Sequence, residues 1–120
     1  MLEKVDLDAK LSLLDEPWSP KIVAELNDTY VKVVKLEGEF VWHHHDDEDE
    51  LFLVVSGRMR MELRDGNVVV GPGELIVVPK GVEHRPVAEE ETHVVLIEPK
   101  TTLNTRNVRD ERTRDELERI

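Results

Sequence analysis

A chain of 120 residues supports one domain with a modest core, and 27 acidic against 16 basic side chains give it a formal net charge of −11. That charge opposes binding to nucleic acid phosphates, and the basic residues are interleaved with acids rather than gathered in a patch. The absence of cysteine rules out disulfides, thiolate ligands and a cysteine nucleophile.

No apolar run is long enough to span a bilayer, so no membrane association is expected. Met1-Leu2-Glu3-Lys4 enters mixed charged and apolar sequence without a signal-peptide pattern, and the expected location is cytoplasmic. Within residues 1–20, Leu7, Leu11 and Leu14 fit one face of a short helix, while Leu11 and Leu13 also fit strand alternation. Pro17 and Pro20 bracket Trp18 and end whatever precedes them. This N-terminal arm either covers a sheet edge, of its own chain or of a partner, or packs loosely on its own barrel, and the sequence leaves these open.

From Lys21 the pattern is β. Ile22-Val23-Ala24 and Tyr30 to Leu36 are rich in β-branched residues, with Asn27-Asp28 as a turn and Glu37-Gly38-Glu39 as punctuation. Phe40 to His45 is expected as the next strand. His43 and His45 then share a face, roughly 6–7 Å apart, and His44 points away. Asp46, Asp47, Glu48 and Asp49 form an exposed turn, and Glu50 opens a returning strand, Leu51 to Val55, covered on both faces. His43, His45 and Glu50 thus make a partial coordination shell of a kind divalent metals take, and His84 is the candidate for a fourth ligand.

Arg58 to Arg64 alternates polar with apolar as a half-exposed strand, and Asp65-Gly66 signals a two-residue hairpin returning through Val68 to Val70. Arg58, Arg60 and Arg64 are expected to be a solvated face rather than a phosphate ridge. Gly71-Pro72-Gly73 is a tight turn before a buried strand, Leu75 to Val78, and the turn Pro79-Lys80-Gly81 sets His84 at the start of the next strand. His93 lies in the strand Thr92 to Ile97 and pairs with nothing in the cluster. Thr113 to Glu116 reads as a capping box opening a short helix to Ile120.

Two motifs add a family resemblance. His43-x-His45, four residues, Glu50, six residues and Gly57 resemble the first motif of the cupins, with Gly38 slightly closer to His43 than usual. Gly73, five residues, Pro79, one residue, Gly81, two residues and His84 resemble the second, with Ala88 where the family often has Asn. The resemblance covers roughly residues 31–98. It implies an all-β fold, a cupin-type jelly-roll β-barrel with a short C-terminal helix. The expected organisation is a single domain over 1–120: arm 1–20, barrel core 21–98, tail 101–120. It also implies His43, His45, Glu50 and His84 as ligands of one divalent transition metal, and pairing as a homodimer. Nitrogen and oxygen ligands without sulfur do not choose among Zn, Fe, Mn, Ni and Cu.

Such a shell leaves open positions from which a metal polarises a bound oxygen, lowers the pKa of water, or holds substrate and dioxygen together. The expected function is action on a small organic substrate as an oxygenase or a sugar-isomerase or lyase-like enzyme, since relatives in the superfamily include dioxygenases and phosphomannose isomerases. The alternatives are a module that binds or senses a small ligand without turnover, and a barrel kept for assembly. No general base or substrate clamp is visible beyond the shell.

Overall fold

Asp6 accepts a hydrogen bond from the Ala9 N–H at 3.1 Å and caps a five-residue helix, α1 (Leu7–Leu11). So short a helix is held by packing: Leu11 and Leu14 are buried against Val33 and Val95 of the sheet. This resolves the helix-or-strand ambiguity of the arm in favour of the helix. The computed structural model describes residues 2–102 and 117–120.

Seven strands follow: β1 (Lys21–Leu26), β2 (Thr29–Glu39), β3 (Glu50–Ser56), β4 (Met59–Leu63), β5 (Gly66–Val70), β6 (Leu75–Val78) and β7 (His84–Pro99). All pairings are antiparallel, in the order β1-β2-β7-β3-β6, with β4 joining β7 to β5. The 16-residue β7 is the common member of both halves. Its first residues pair with β4, from His84 opposite Leu63 to Val87 opposite Arg60, and its later ones lie between β2 and β3. The result is the jelly-roll β-barrel that the resemblance implied. No described helix is long and apolar enough to cross a membrane.

Alternation along the strands sorts the apolar residues into two clusters. Val34 and Leu36 of β2, Phe52 and Val54 of β3, Met59 and Met61 of β4, and Val94 and Leu96 of β7 point inward and form the main core. Val33, Val95, Leu53, Val55 and Ile97 point outward, where α1 and Ile120 cover part of them. The arm packs on its own barrel. Trp18 donates from its backbone N–H to the Lys35 carbonyl and from Nε1 to the Glu37 carbonyl, each at 2.8 Å. Its ring stacks on Phe40 with centroids 4.8 Å apart.

Several expectations need correction. Phe40 to His45 is not a ladder strand: it is extended chain held by the Phe40 N–H on the Pro86 carbonyl and an isolated bridge between His43 and His84. β2 runs on through Gly38 to Glu39 over a bulge at Leu36/Gly38 rather than stopping at Glu37. The hairpin loop is Arg64-Asp65, with Gly66 already paired to Leu63. β6 is an edge strand, and its Leu75 and Val77 are 57% and 48% exposed rather than buried. The C-terminal helix expected from Thr113 lies largely outside the described residues. Its last four, Leu117 to Ile120, run alongside β1, where Ile22 N–H donates to the Glu118 carbonyl and Ile120 N–H to that of Ile22.

Candidate metal centre

Three separate stretches meet inside the barrel. His43 and His45 come from the extended segment before β3, Glu50 is the first residue of β3, and His84 is the first of β7. The side-by-side bridge of His43 and His84 is made by two backbone hydrogen bonds, 2.9 and 3.1 Å long. The Gly81 N–H on the His45 carbonyl, at 2.7 Å, ties the second turn to the same segment. One ligand atom from each of His43, His45, Glu50 and His84 lies within 4.8 Å of the others, and all four residues are buried. Donors about 2.1 Å from one ion and at right angles stand about 3 Å apart. Glu50 Oε1 is 2.9 Å from His45 Nε2 and 3.1 Å from His84 Nε2.

The hydrogen bonds around the rings show what this arrangement accepts. His43 Nδ1 lies 2.9 Å from the Val41 carbonyl and His84 Nδ1 2.8 Å from that of Val82. A carbonyl only accepts, so both Nδ1 atoms carry a proton and each ring turns its Nε2 inward. At His84 that nitrogen lies 3.1 Å from an oxygen of Glu50. Two acceptors at this distance require something positive between them, either a proton or a metal cation. The His45 ring is buried and neither nitrogen has a hydrogen bond of proper geometry, which a metal ligand would explain. The residues therefore fit a divalent cation. The cluster could hold one.

Charge in the site is set by burial. Burial lowers the pKa of His43 to about 4, with the neighbouring His84 adding to the effect and Glu50 opposing it. Burial pushes the Glu50 carboxyl up, but its contact with the Glu98 carboxyl and those with His45 and His84 outweigh this and hold it well below the usual carboxylate range. Glu98, two per cent exposed, goes the other way: burial and the Glu50 charge push it well above that range, against the pull of Lys32. Lys32 is equally buried, and its Nζ donates to Glu98 Oε1 at 2.7 Å. The two carboxyls are thus in contact, and each shifts the other in the opposite direction.

A group with a folded pKa below its unfolded one binds fewer protons when folded, so its contribution to stability is complete above pH 6.5 and is lost as pH falls toward 4. For His43, depressed from 6.5 to about 4, that contribution reaches about 3 kcal/mol. Metal-free protein is therefore expected to lose more stability between pH 7 and pH 4 than metal-free His43→Gln, as read by urea titration. Parallel pH profiles would show that His43 is not held neutral by its surroundings.

A cavity of about 40 Å³ lies beside the cluster, with Trp18, Phe40, Phe52 and Leu36 among its apolar walls and His43, Glu50 and Glu98 as its polar groups. That volume suits about three water molecules.

The remaining expected residues fall outside the cluster. His44 points outward to Asp46 at 2.9 Å, and His93 pairs with Glu91 at 2.9 Å. Arg60 is engaged by Glu62 and Glu89, while Arg64 pairs with Glu83 and stacks over Trp42, which leaves no ridge of free arginines there. One acid of the 46–49 turn departs from expectation: Glu48 is buried and accepts from Thr101 Oγ1 at 2.8 Å. Lys32 and Glu98 are inner-barrel residues that sequence reasoning missed. The available signal was phase, since Lys32 alternates with Val34 and Leu36, and Glu98 with Val94 and Leu96.

Comparison with known proteins fits this geometry. A cupin-2 domain containing protein from Shewanella frigidimarina is 48% identical, with a TM-score of 0.79 over 80% of this chain and 94% of that one. The uncharacterized protein YdbB of Bacillus subtilis is 34% identical across 65% of this chain and 70% of its own length. The acireductone dioxygenase of Bacillus licheniformis is 34% identical over 62% of this chain, and the 3-hydroxyanthranilate 3,4-dioxygenase of a Jannaschia species 31% identical over 78%. The chain spans about half the length of those two dioxygenases, 45% and 54% respectively. The cupin domain profile matches residues 30–100, which include all four clustered side chains and most of the barrel, and the chain belongs to the cupin family.

Proposed function

We propose that this chain is a metal-dependent enzyme in which His43, His45, Glu50 and His84 hold one divalent transition metal, and that it uses dioxygen on a small organic substrate. The observation that carries the metal assignment is the convergence of His45 Nε2 and His84 Nε2 on one oxygen of Glu50, at 2.9 and 3.1 Å, with a ligand atom of His43 inside the same 4.8 Å cluster. Oxygen chemistry is preferred to sugar isomerisation because relatives aligned at 34% and 31% identity carry dioxygenase names. When bound, the metal would supply a Lewis acid with open positions and, if redox-active, a site for dioxygen. The chain's own part is to keep the imidazole lone pairs aimed inward through the Val41 and Val82 carbonyls and to keep Glu50 ionised. Its apolar walls limit water beside the reacting atoms. We further propose a homodimer through the outer face of β3 and β6, where Leu75 and Val77 are exposed beside half-buried Leu51 and Leu53.

The test is elemental analysis of protein purified without a nickel column, followed by oxygen uptake after loading with Fe, Mn, Ni, Cu or Zn. 3-Hydroxyanthranilate and an acireductone are the first substrates to offer. Uptake above the metal-only blank with a redox-active ion, and none with Zn, is the expected result. Tight metal binding without uptake for any compound in a broad panel would favour a ligand-binding or sensing module instead. Sedimentation of the same preparation as a monomer would overturn the dimer.

A further inference from the structure

The cavity beside the cluster is too small for the reaction proposed above. Its volume of about 40 Å³ is far below the roughly 300–1,000 Å³ of ordinary small-molecule sites, and every residue that lines it is buried. An organic substrate can occupy it only if part of the wall moves. Most of the wall is fixed: Val34 and Leu36 stand on β2, Phe52 on β3 and Leu96 on β7, all inside the hydrogen-bonded sheet. Trp18 and Pro20 are different. They lie in the stretch 12–20 between α1 and β1, which belongs to no helix or strand, and Asp15, Glu16 and Pro17 just ahead of them are exposed.

Trp18 is also held under tension. Its φ of +62° lies in the left-handed region, which strains a bulky residue. Two hydrogen bonds to the Lys35 and Glu37 carbonyls and the stack on Phe40 keep it there. Once the indole leaves, water can satisfy both carbonyls and the backbone strain is relieved, so the closed position is a balance rather than a deep minimum. The departure uncovers a face of Phe40, whose ring stands edge-on to His43 with centroids 5.3 Å apart.

We propose that Trp18 is the movable wall of this cavity: the arm swings the indole off Phe40, and a flat apolar group of the substrate takes the vacated place while its chelating end sits at the metal cluster. This rests on the metal reading above. The substrate class that follows is an aromatic or otherwise flat molecule with a metal-binding group at one end. A ring recovers the stacking on Phe40 that the indole gives up, whereas the hydroxyls of a sugar would be buried there against apolar walls.

Azide and benzohydroxamate are suitable probes. Both bind metals, but azide is small enough for the cavity as it stands, whereas the phenyl ring of benzohydroxamate needs the wall to move. Each is titrated against cobalt-loaded protein and binding is read from the visible spectrum. Trp18→Ala removes the cost of opening, so benzohydroxamate should bind about 10-fold tighter than to wild type. Azide affinity and cobalt content should stay at the wild-type level. A fixed wall would instead lose a contact, and benzohydroxamate would bind more weakly; a merely structural role would shift both probes alike. Either result overturns the proposal.

A second measurement leaves the cavity intact. Trp42, stacked under Arg64 outside the cluster, is the other of the two tryptophans, so Trp42→Phe leaves Trp18 as the sole indole emitter. In zinc-loaded Trp42→Phe, benzohydroxamate should shift the emission to the red and raise its quenching by acrylamide several-fold, while azide should do neither. Unchanged emission at the highest benzohydroxamate concentration overturns the proposal, including where Trp18→Ala fails to fold. Wild type that retains neither cobalt nor zinc would overturn the metal reading and this one with it, whereas metal retained with Trp18 unmoved overturns the movable wall alone.

Discussion

Glu50→Ala is expected to weaken metal binding by more than about 100-fold, the upper end of what losing a mere supporting residue costs. Bound metal in purified protein should fall from about one equivalent to a small fraction, measured by elemental analysis after dialysis. Glu50 is the only carboxylate of the cluster, and its Oε1 touches both His45 and His84. Glu98, the buried carboxyl in contact with it, has one oxygen committed to Lys32 at 2.7 Å and is outside the cluster. The fold should survive, since burial itself disfavours the Glu50 charge and removing it relieves that cost. His44→Ala and His93→Ala are the controls. Their rings pair with Asp46 and Glu91 outside the cluster, so metal content should not change. Full occupancy in Glu50→Ala, or strong loss in either control, would show that the four side chains do not act as one ligand set.

Much of this centre was legible because the relevant regularity is weaker than a strand. His43 and His45 converge as expected although no ladder forms there: extended backbone alone puts residues i and i+2 on one side. His84 was placed by its turn, since Pro79 to Gly81 returns the chain beside the first segment and the Gly81 N–H reaches the His45 carbonyl. What stayed hidden depends on tertiary context. Leu75-Ile76-Val77-Val78 has the composition of a doubly covered strand, yet nothing in those four residues says that, among the described strands, β6 pairs only with β3. Lys32 and Glu98 look like ordinary solvated charges, because each becomes tolerable inside the barrel only through a partner 66 positions away. Glu48 is buried for a similar reason, its carboxylate met by Thr101.

The largest expected effect on stability lies at a residue with no side chain. Gly57, between β3 and β4, has φ +85°, and a Cβ there would stand 2.5 Å from Thr92 Oγ1, 2.8 Å from Thr92 Cα and 2.9 Å from the Glu91 carbonyl oxygen. The obstructing atoms are mostly backbone of β7, the strand shared by both halves of the barrel, so no side-chain rotation relieves the contact. Thr92 is itself fixed: its Oγ1 accepts from the Arg58 N–H at 3.1 Å and donates to the Glu90 carbonyl at 3.0 Å. Gly57→Ala combines left-handed strain of about 1–2 kcal/mol with overpacking of about 1–3 kcal/mol, for a loss of about 3 kcal/mol in total. In urea titration the midpoint should fall with the slope unchanged. Gly73→Ala separates the two contributions. Gly73 has φ +79° but nothing within 4 Å of the added Cβ, so it should lose only the strain, about 1 kcal/mol. Equal losses at the two positions would mean that β7 yields to the methyl group, and that the close approach of Gly57 to Thr92 is not what fixes the junction of β3 and β4.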